Sequence, residues 1–109
     1  MIETEECIIE IVNKIVAFYH PEKVILFGPF CLGNITRNSE ISLLIIKDSV
    51  LPKSKRAELI YNHLQETIHP VDLLVYTPVE YYQSMIDNQS FISNVLKTSK
   101  VLYDKDLEV

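Results

Sequence analysis

Only two glycines occur in the 109 residues, Gly28 and Gly33, and both fall in the stretch FGPFCLGNITRNSEISLLII. A chain so poor in glycine has no Gly/Ser linker, and with no repeats or low-complexity tracts either, it reads as one domain over residues 1–109. Cysteine is equally sparse. Cys7 and Cys31 lack CxxC or CxxH spacing, so they read as buried, reduced thiols rather than metal ligands or a redox pair. No apolar run approaches the 18 or so residues of a membrane span, which points to a soluble protein. Basic charge is short as well: a net charge of −5 and a pI near 5.1 provide no electrostatic footprint for nucleic acid. The one basic cluster, Lys53-Ser54-Lys55-Arg56, reads as an exposed helix start rather than a phosphate track. Glu3, Glu5 and Glu6 precede the apolar run that starts at Ile8, with no Lys or Arg among them, the wrong sign for a leader peptide, so a cytoplasmic location is expected.

What is present is a regular alternation of elements. Ile8, Ile11, Val12, Ile15, Val16 and Tyr19 recur at three- and four-residue spacing and predict a helix from Thr4, as N-cap, to Tyr19. His20-Pro21 should end it, because a residue before proline is pushed out of helical geometry. The runs Lys23–Phe27, Ile41–Ile46 and Val71–Tyr76 are apolar and rich in β-branched residues, as buried strands are. Lys53–Ile68 shows mostly helical spacing after Pro52 and stops at His69-Pro70. Thr77-Pro78 reads as an N-cap with proline at the first helical position, opening one broken or two short helices over 79–97, before a final strand near 100–103. The expected fold is α/β, a small mixed sheet flanked by helices.

The glycines sit between the first two strands. A strand ending in glycine, followed by a tight loop with a second glycine, allows a backbone to approach a phosphate, since glycine alone takes positive φ without steric cost. The same glycines would serve equally in a loop that needs those φ angles and binds nothing. On the following strand Glu40 and Ser42 are two residues apart and share a face, with Asp72 on the third strand nearby. Carboxylates on adjacent strands are how proteins hold Mg²⁺ around a nucleoside triphosphate. Each acid also has a plain reading as a solvated strand-edge charge. Tyr76, Tyr81 and Tyr82 form an aromatic group that suits either core packing or an interface.

Residues 23–46 resemble the signature of the minimal nucleotidyltransferases, small members of the DNA polymerase β-like superfamily: a strand, Gly-Ser, a second Gly, then Asp-x-Asp on the next strand. Gly28 and Gly33 fall on the glycines, and Ser39 on the serine that often precedes the acidic pair. VDLLVYTPVEYY, residues 71–82, is similar to the strand bearing the third carboxylate, with Asp72 in the acidic position. FISNVLKTSKVLYD, residues 91–104, looks like the closing helix and strand, so the resemblance covers nearly the whole chain.

The departures from that pattern carry as much information. Pro29 stands in place of the phosphate-binding serine and has neither a hydroxyl nor a backbone N–H. Glu40 replaces the first aspartate, its extra methylene moving the carboxylate by roughly 1.5 Å. Ser42 replaces the second and removes a charge. Phe30 and Leu32 stand where arginines are common, and Asn34 where an aspartate is usual. The resemblance thus implies a nucleotidyltransferase fold with a degenerate site, acting by binding a partner: an antitoxin or accessory subunit of a helical HEPN-type protein, with a homodimer as the fallback. The alternative it implies is an active enzyme transferring a nucleoside monophosphate from ATP to a hydroxyl. Glu40 and Asp72 would then hold Mg²⁺, Asp72 would act as base, and Gly28, Pro29, Gly33, Asn34 and Ser39 would surround the phosphates. A nucleotide sensor without turnover is a third possibility.

Overall fold

The computed structural model describes residues 2–33, 35–36, 39–64, 69–87 and 90–107. In chain order the elements are α1 (Ile2–Tyr19), β1 (Lys23–Phe27), α2 (Pro29–Leu32), β2 (Ile41–Ile46), α3 (Lys53–Tyr61), β3 (Val71–Tyr76), α4 (Pro78–Ile86), α5 (Phe91–Leu96) and β4 (Lys100–Asp104). The sheet order is β3-β2-β1-β4. β1 runs antiparallel to both β2 and β4, and β2 runs parallel to β3 across the crossover that contains α3. The sheet is therefore mixed, with helices on both faces.

Side-chain alternation builds two cores. Val24, Leu26, Ile41, Leu43, Ile45, Leu73 and Val75 face one way and meet Ile8, Ile11, Val12 and Ile15 of α1, Phe30 of α2 and Ile60 of α3. Ile25, Phe27, Leu44 and Ile46 face the other way and meet Tyr81 of α4 and Ile92 of α5. All six positions of β2 are buried, which is why ISLLII is a near-continuous apolar run rather than an alternating one. Cys7 and Cys31 are free thiols packed at the margin of the first core, half-buried rather than fully so.

Several boundaries differ from expectation. α1 begins at Ile2, so Thr4 lies inside it. At its other end His20 takes φ 52°, the left-handed conformation of a helix C-cap, and its N–H still donates to the Val16 carbonyl at 3.1 Å. α3 stops at Tyr61; residues 65–68, the last of the expected helix, lie outside the described residues. Thr77 does cap α4, in a full capping box with Glu80.

The basic cluster is the clearest correction. Lys53 and Lys55 are exposed, but Arg56 is only 5% exposed. Its Nε donates to the Leu51 carbonyl at 2.9 Å and one terminal nitrogen to the Val75 carbonyl at 3.1 Å. The guanidinium also grips both carboxylate oxygens of Glu80, at 2.6 and 3.2 Å. A buried arginine persists when its donors find fixed acceptors, and here they tie α3, the end of β3 and the cap of α4 together. The Arg56 hydrogen bonds hold the Glu80 carboxyl down at about 2, against the desolvation that would raise it.

Candidate functional site

The glycine loop is built around a short helix that is too brief to leave a periodic trace. Gly28 has φ 77° and ψ −157°, a region that only glycine occupies freely, and serves as N-cap of α2. Pro29 follows at the first helical position, where its missing N–H costs nothing and its fixed φ suits the helix. The amides of Cys31 and Leu32 both donate to the Gly28 carbonyl, at 3.0 and 3.1 Å. Gly33 closes the helix in the left-handed conformation, φ 82°, with its N–H on the Pro29 carbonyl at 3.0 Å. Both glycines are required by backbone geometry, and the first turn of α2 spends its Cys31 and Leu32 amides on its own carbonyl.

Further along the loop, buried Ser39 accepts from the Thr36 N–H at 2.7 Å and donates its own N–H back to the Thr36 carbonyl at 3.1 Å. Its hydroxyl is used to brace the turn that leads into β2. Asn34, placed near the phosphates by resemblance, lies outside the described residues.

The strand register brings Ser42 and Asp72 side by side. Ser42 faces Phe27 across the antiparallel pair and Asp72 across the parallel pair, so all three share the face covered by α4 and α5. Ser42 is buried beneath the loop: a Cβ built on Gly28 would meet its Oγ at 3.1 Å. Glu40 is exposed one residue ahead of β2, and Asp72 is half-buried. The start of the parallel pair is fastened by the Ile41 N–H on the Pro70 carbonyl, 2.8 Å.

Tyr61 belongs to this end of the sheet, and the periodicity of α3 does not single it out. Its hydroxyl accepts from the Leu73 N–H at 2.8 Å, capping an amide of the edge strand β3. Burial pushes the phenol pKa up, the Leu73 hydrogen bond pulls it down, and the charges of Asp72 and Glu40 push it up again. Both carboxylates thus act on one phenol. The signal in the sequence was a tyrosine at the end of a helix preceding an edge strand, which has meaning only once the strand order is known.

The donor set does not fit a two-metal centre. Among the described residues no group of three or more His, Cys, Asp or Glu could hold a metal ion. Glu40 and Asp72 are two carboxylates where the family pattern has three, and the residue beside Asp72 is a neutral hydroxyl.

The profile described as Nucleotidyltransferase domain matches residues 8–102. This chain belongs to that nucleotidyltransferase family. That match, together with the fold described above, supports its assignment to the minimal nucleotidyltransferases. No protein of curated function matches it. Among solved structures, it is similar to a crystal structure described as that of a putative nucleotidyltransferase from Sulfolobus solfataricus. The TM-score is 0.66 at 18% identity, covering 97% of this chain and 85% of that one. At that identity the likeness establishes the fold. Among the described residues of this minimal nucleotidyltransferase, no helix is long and apolar enough to cross a membrane.

Proposed function

We propose that this nucleotidyltransferase-fold protein is catalytically degenerate and acts by binding a partner protein, as the antitoxin or accessory subunit of a helical HEPN-type protein. The observation that carries the reading is Ser42, buried beneath Gly28 and directly beside Asp72, at the position where the family places a metal-binding carboxylate. A serine hydroxyl there supplies no charge to a hard cation. Pro29 supports the same conclusion, since it offers no donor to a phosphate and the Cys31 and Leu32 amides behind it are spent on the Gly28 carbonyl. A retained fold with its charged site residues replaced is what selection for binding rather than turnover leaves.

The second reading, an active Mg²⁺-dependent transferase using ATP, rests on Glu40 and Asp72 as the remaining carboxylates, Glu40 exposed just ahead of β2 and Asp72 half-buried beside Ser42. A thermal melt with and without millimolar Mg-ATP separates the two. Ligand at a hundred times its Kd adds about 2.7 kcal/mol, which should raise Tm by roughly ten degrees in a domain this small. The degenerate partner-binding reading expects no shift; a shift of that size revives the transferase and sensor readings, which a turnover assay then separates. For the partner, the tagged chain expressed in its own cells should co-purify with a stoichiometric helical protein. Recovery of the chain alone removes that part of the proposal.

A further inference from the structure

β3 is one edge of the sheet and β4 the other, and the two edges are finished differently. β4 carries features that commonly blunt an edge: a register shift in its pairing with β1 at Val24 and Ile25, and a lysine at either end, Lys100 opening the strand and Lys105 just past it. β3 carries neither. It pairs with β2 in unbroken register from Val71 to Tyr76, and VDLLVY contains no proline, glycine or lysine and a single charge, Asp72. A short segment of this kind, apolar, β-branched and low in charge, recruits further strands when its edge lies open.

The backbone of β3 has two sides. The carbonyls of Pro70 and Tyr76 accept from the Ile41 and Lys47 amides, so the even-numbered residues turn their backbone groups toward β2. By the two-residue alternation of a strand, Leu73 and Val75 turn theirs to the open side. One helix reaches a group on each. Tyr61, the last residue of α3, accepts from the Leu73 N–H through its hydroxyl at 2.8 Å, and Arg56 of the same helix donates to the Val75 carbonyl at 3.1 Å.

We propose that α3 guards the open edge of β3, its phenol and guanidinium taking the places that a neighbouring strand's carbonyl and amide would fill, so that a strand of another copy cannot extend the native sheet there. Each bond satisfies a backbone group that an added strand needs, and the pair spans the middle of the segment. The two guards differ in what else they do. Arg56 also holds the Leu51 carbonyl and Glu80, so its removal disturbs the whole junction. Tyr61 is the separable one: it is 41% exposed, and phenylalanine keeps its ring while deleting the oxygen that accepts from Leu73. The guard works whether or not the nucleotide site is active.

The test compares assembly of the wild type, Tyr61→Phe and Gly33→Ala, followed by thioflavin T fluorescence, with each protein held at the same interval below its own unfolding midpoint. Gly33→Ala controls for destabilisation away from the edge, and holding that interval removes differences in the fraction unfolded. Tyr61→Phe should assemble with a lag several-fold shorter than both others, and hydrogen exchange on the assemblies should find the Leu73 amide protected. A lag equal to that of Gly33→Ala overturns the proposal, because the hydroxyl then contributes stability alone. Fast assembly with the Leu73 amide unprotected overturns it as well, since the added strand then lies elsewhere.

Discussion

The two ends of the sheet use polar groups in opposite ways. At the end where β3 gives way to α4, Arg56 and Glu80 are interlocked, and Arg56 holds two backbone carbonyls besides. At the other end, where β1 runs into the glycine loop, Glu40 is exposed, Asp72 is half-buried and Ser42 lies uncharged between them and the loop. The first end is a fastening whose members depend on one another. The second keeps its loop in shape with two positive-φ glycines around a short helix and sets a neutral serine beside Asp72. The lesson is that the glycines, the short helix and the register each have a geometric reason that involves no ligand.

This contrast can be broken by substitution. Glu80→Ala should have the largest effect, about 3 to 4 kcal/mol lost in urea unfolding, because it strands a buried guanidinium and opens the α4 capping box. Gly28→Ala should follow at about 2 to 3 kcal/mol, since its φ is strained for any other residue and its Cβ would press on Ser42, where the neighbour must give. Gly33→Ala should cost only about 1 kcal/mol: the φ is again positive, but a Cβ there meets nothing within 4 Å. Equal losses at the two glycines would remove the claim that Gly28 is held by close approach. Tyr61→Phe should cost a similar 1 kcal/mol and speed hydrogen exchange at the Leu73 amide; unchanged exchange there would mean the phenol does not cap the edge strand.

The smallest effect sharpens the comparison through pH. Glu80 has a carboxyl pKa lowered to about 2, so its contribution is present above about 4.5 and is lost as pH falls from there towards 2. The stability gap between wild type and Glu80→Gln should therefore narrow between pH 5 and pH 2.5. A gap that stays constant over that window would place the benefit in packing rather than in charge.

Much of this was legible in the sequence, for reasons that can be traced. The strands were readable because each is an apolar run bounded by proline, glycine or polar residues, and the Thr77-Pro78 pair marked the start of α4. The glycine pair marked the loop because both positions require positive φ. Four-residue α2 was not readable, being shorter than a helical period can resolve. Arg56 was hidden by its neighbours: within a basic run it looks solvated, although it lies four residues before Ile60 on the inward face of α3. Tyr61 was invisible for a different reason, since its role depends on β3 being an edge strand, and strand order is a property of tertiary pairing.

The order β3-β2-β1-β4 has a consequence in time. β1 and β2 can pair as soon as residue 46 is available, and β3 joins β2 by residue 76. The other flank of β1 waits for residues 100–104, which pair with residues 23–26. Such a distant pairing is costly in loop entropy, so it forms late. Until then one of the two innermost strands is an edge, with Val24, Ile25 and Leu26 beside unpaired backbone, and a nascent chain is most vulnerable to pairing with the wrong strand in that interval.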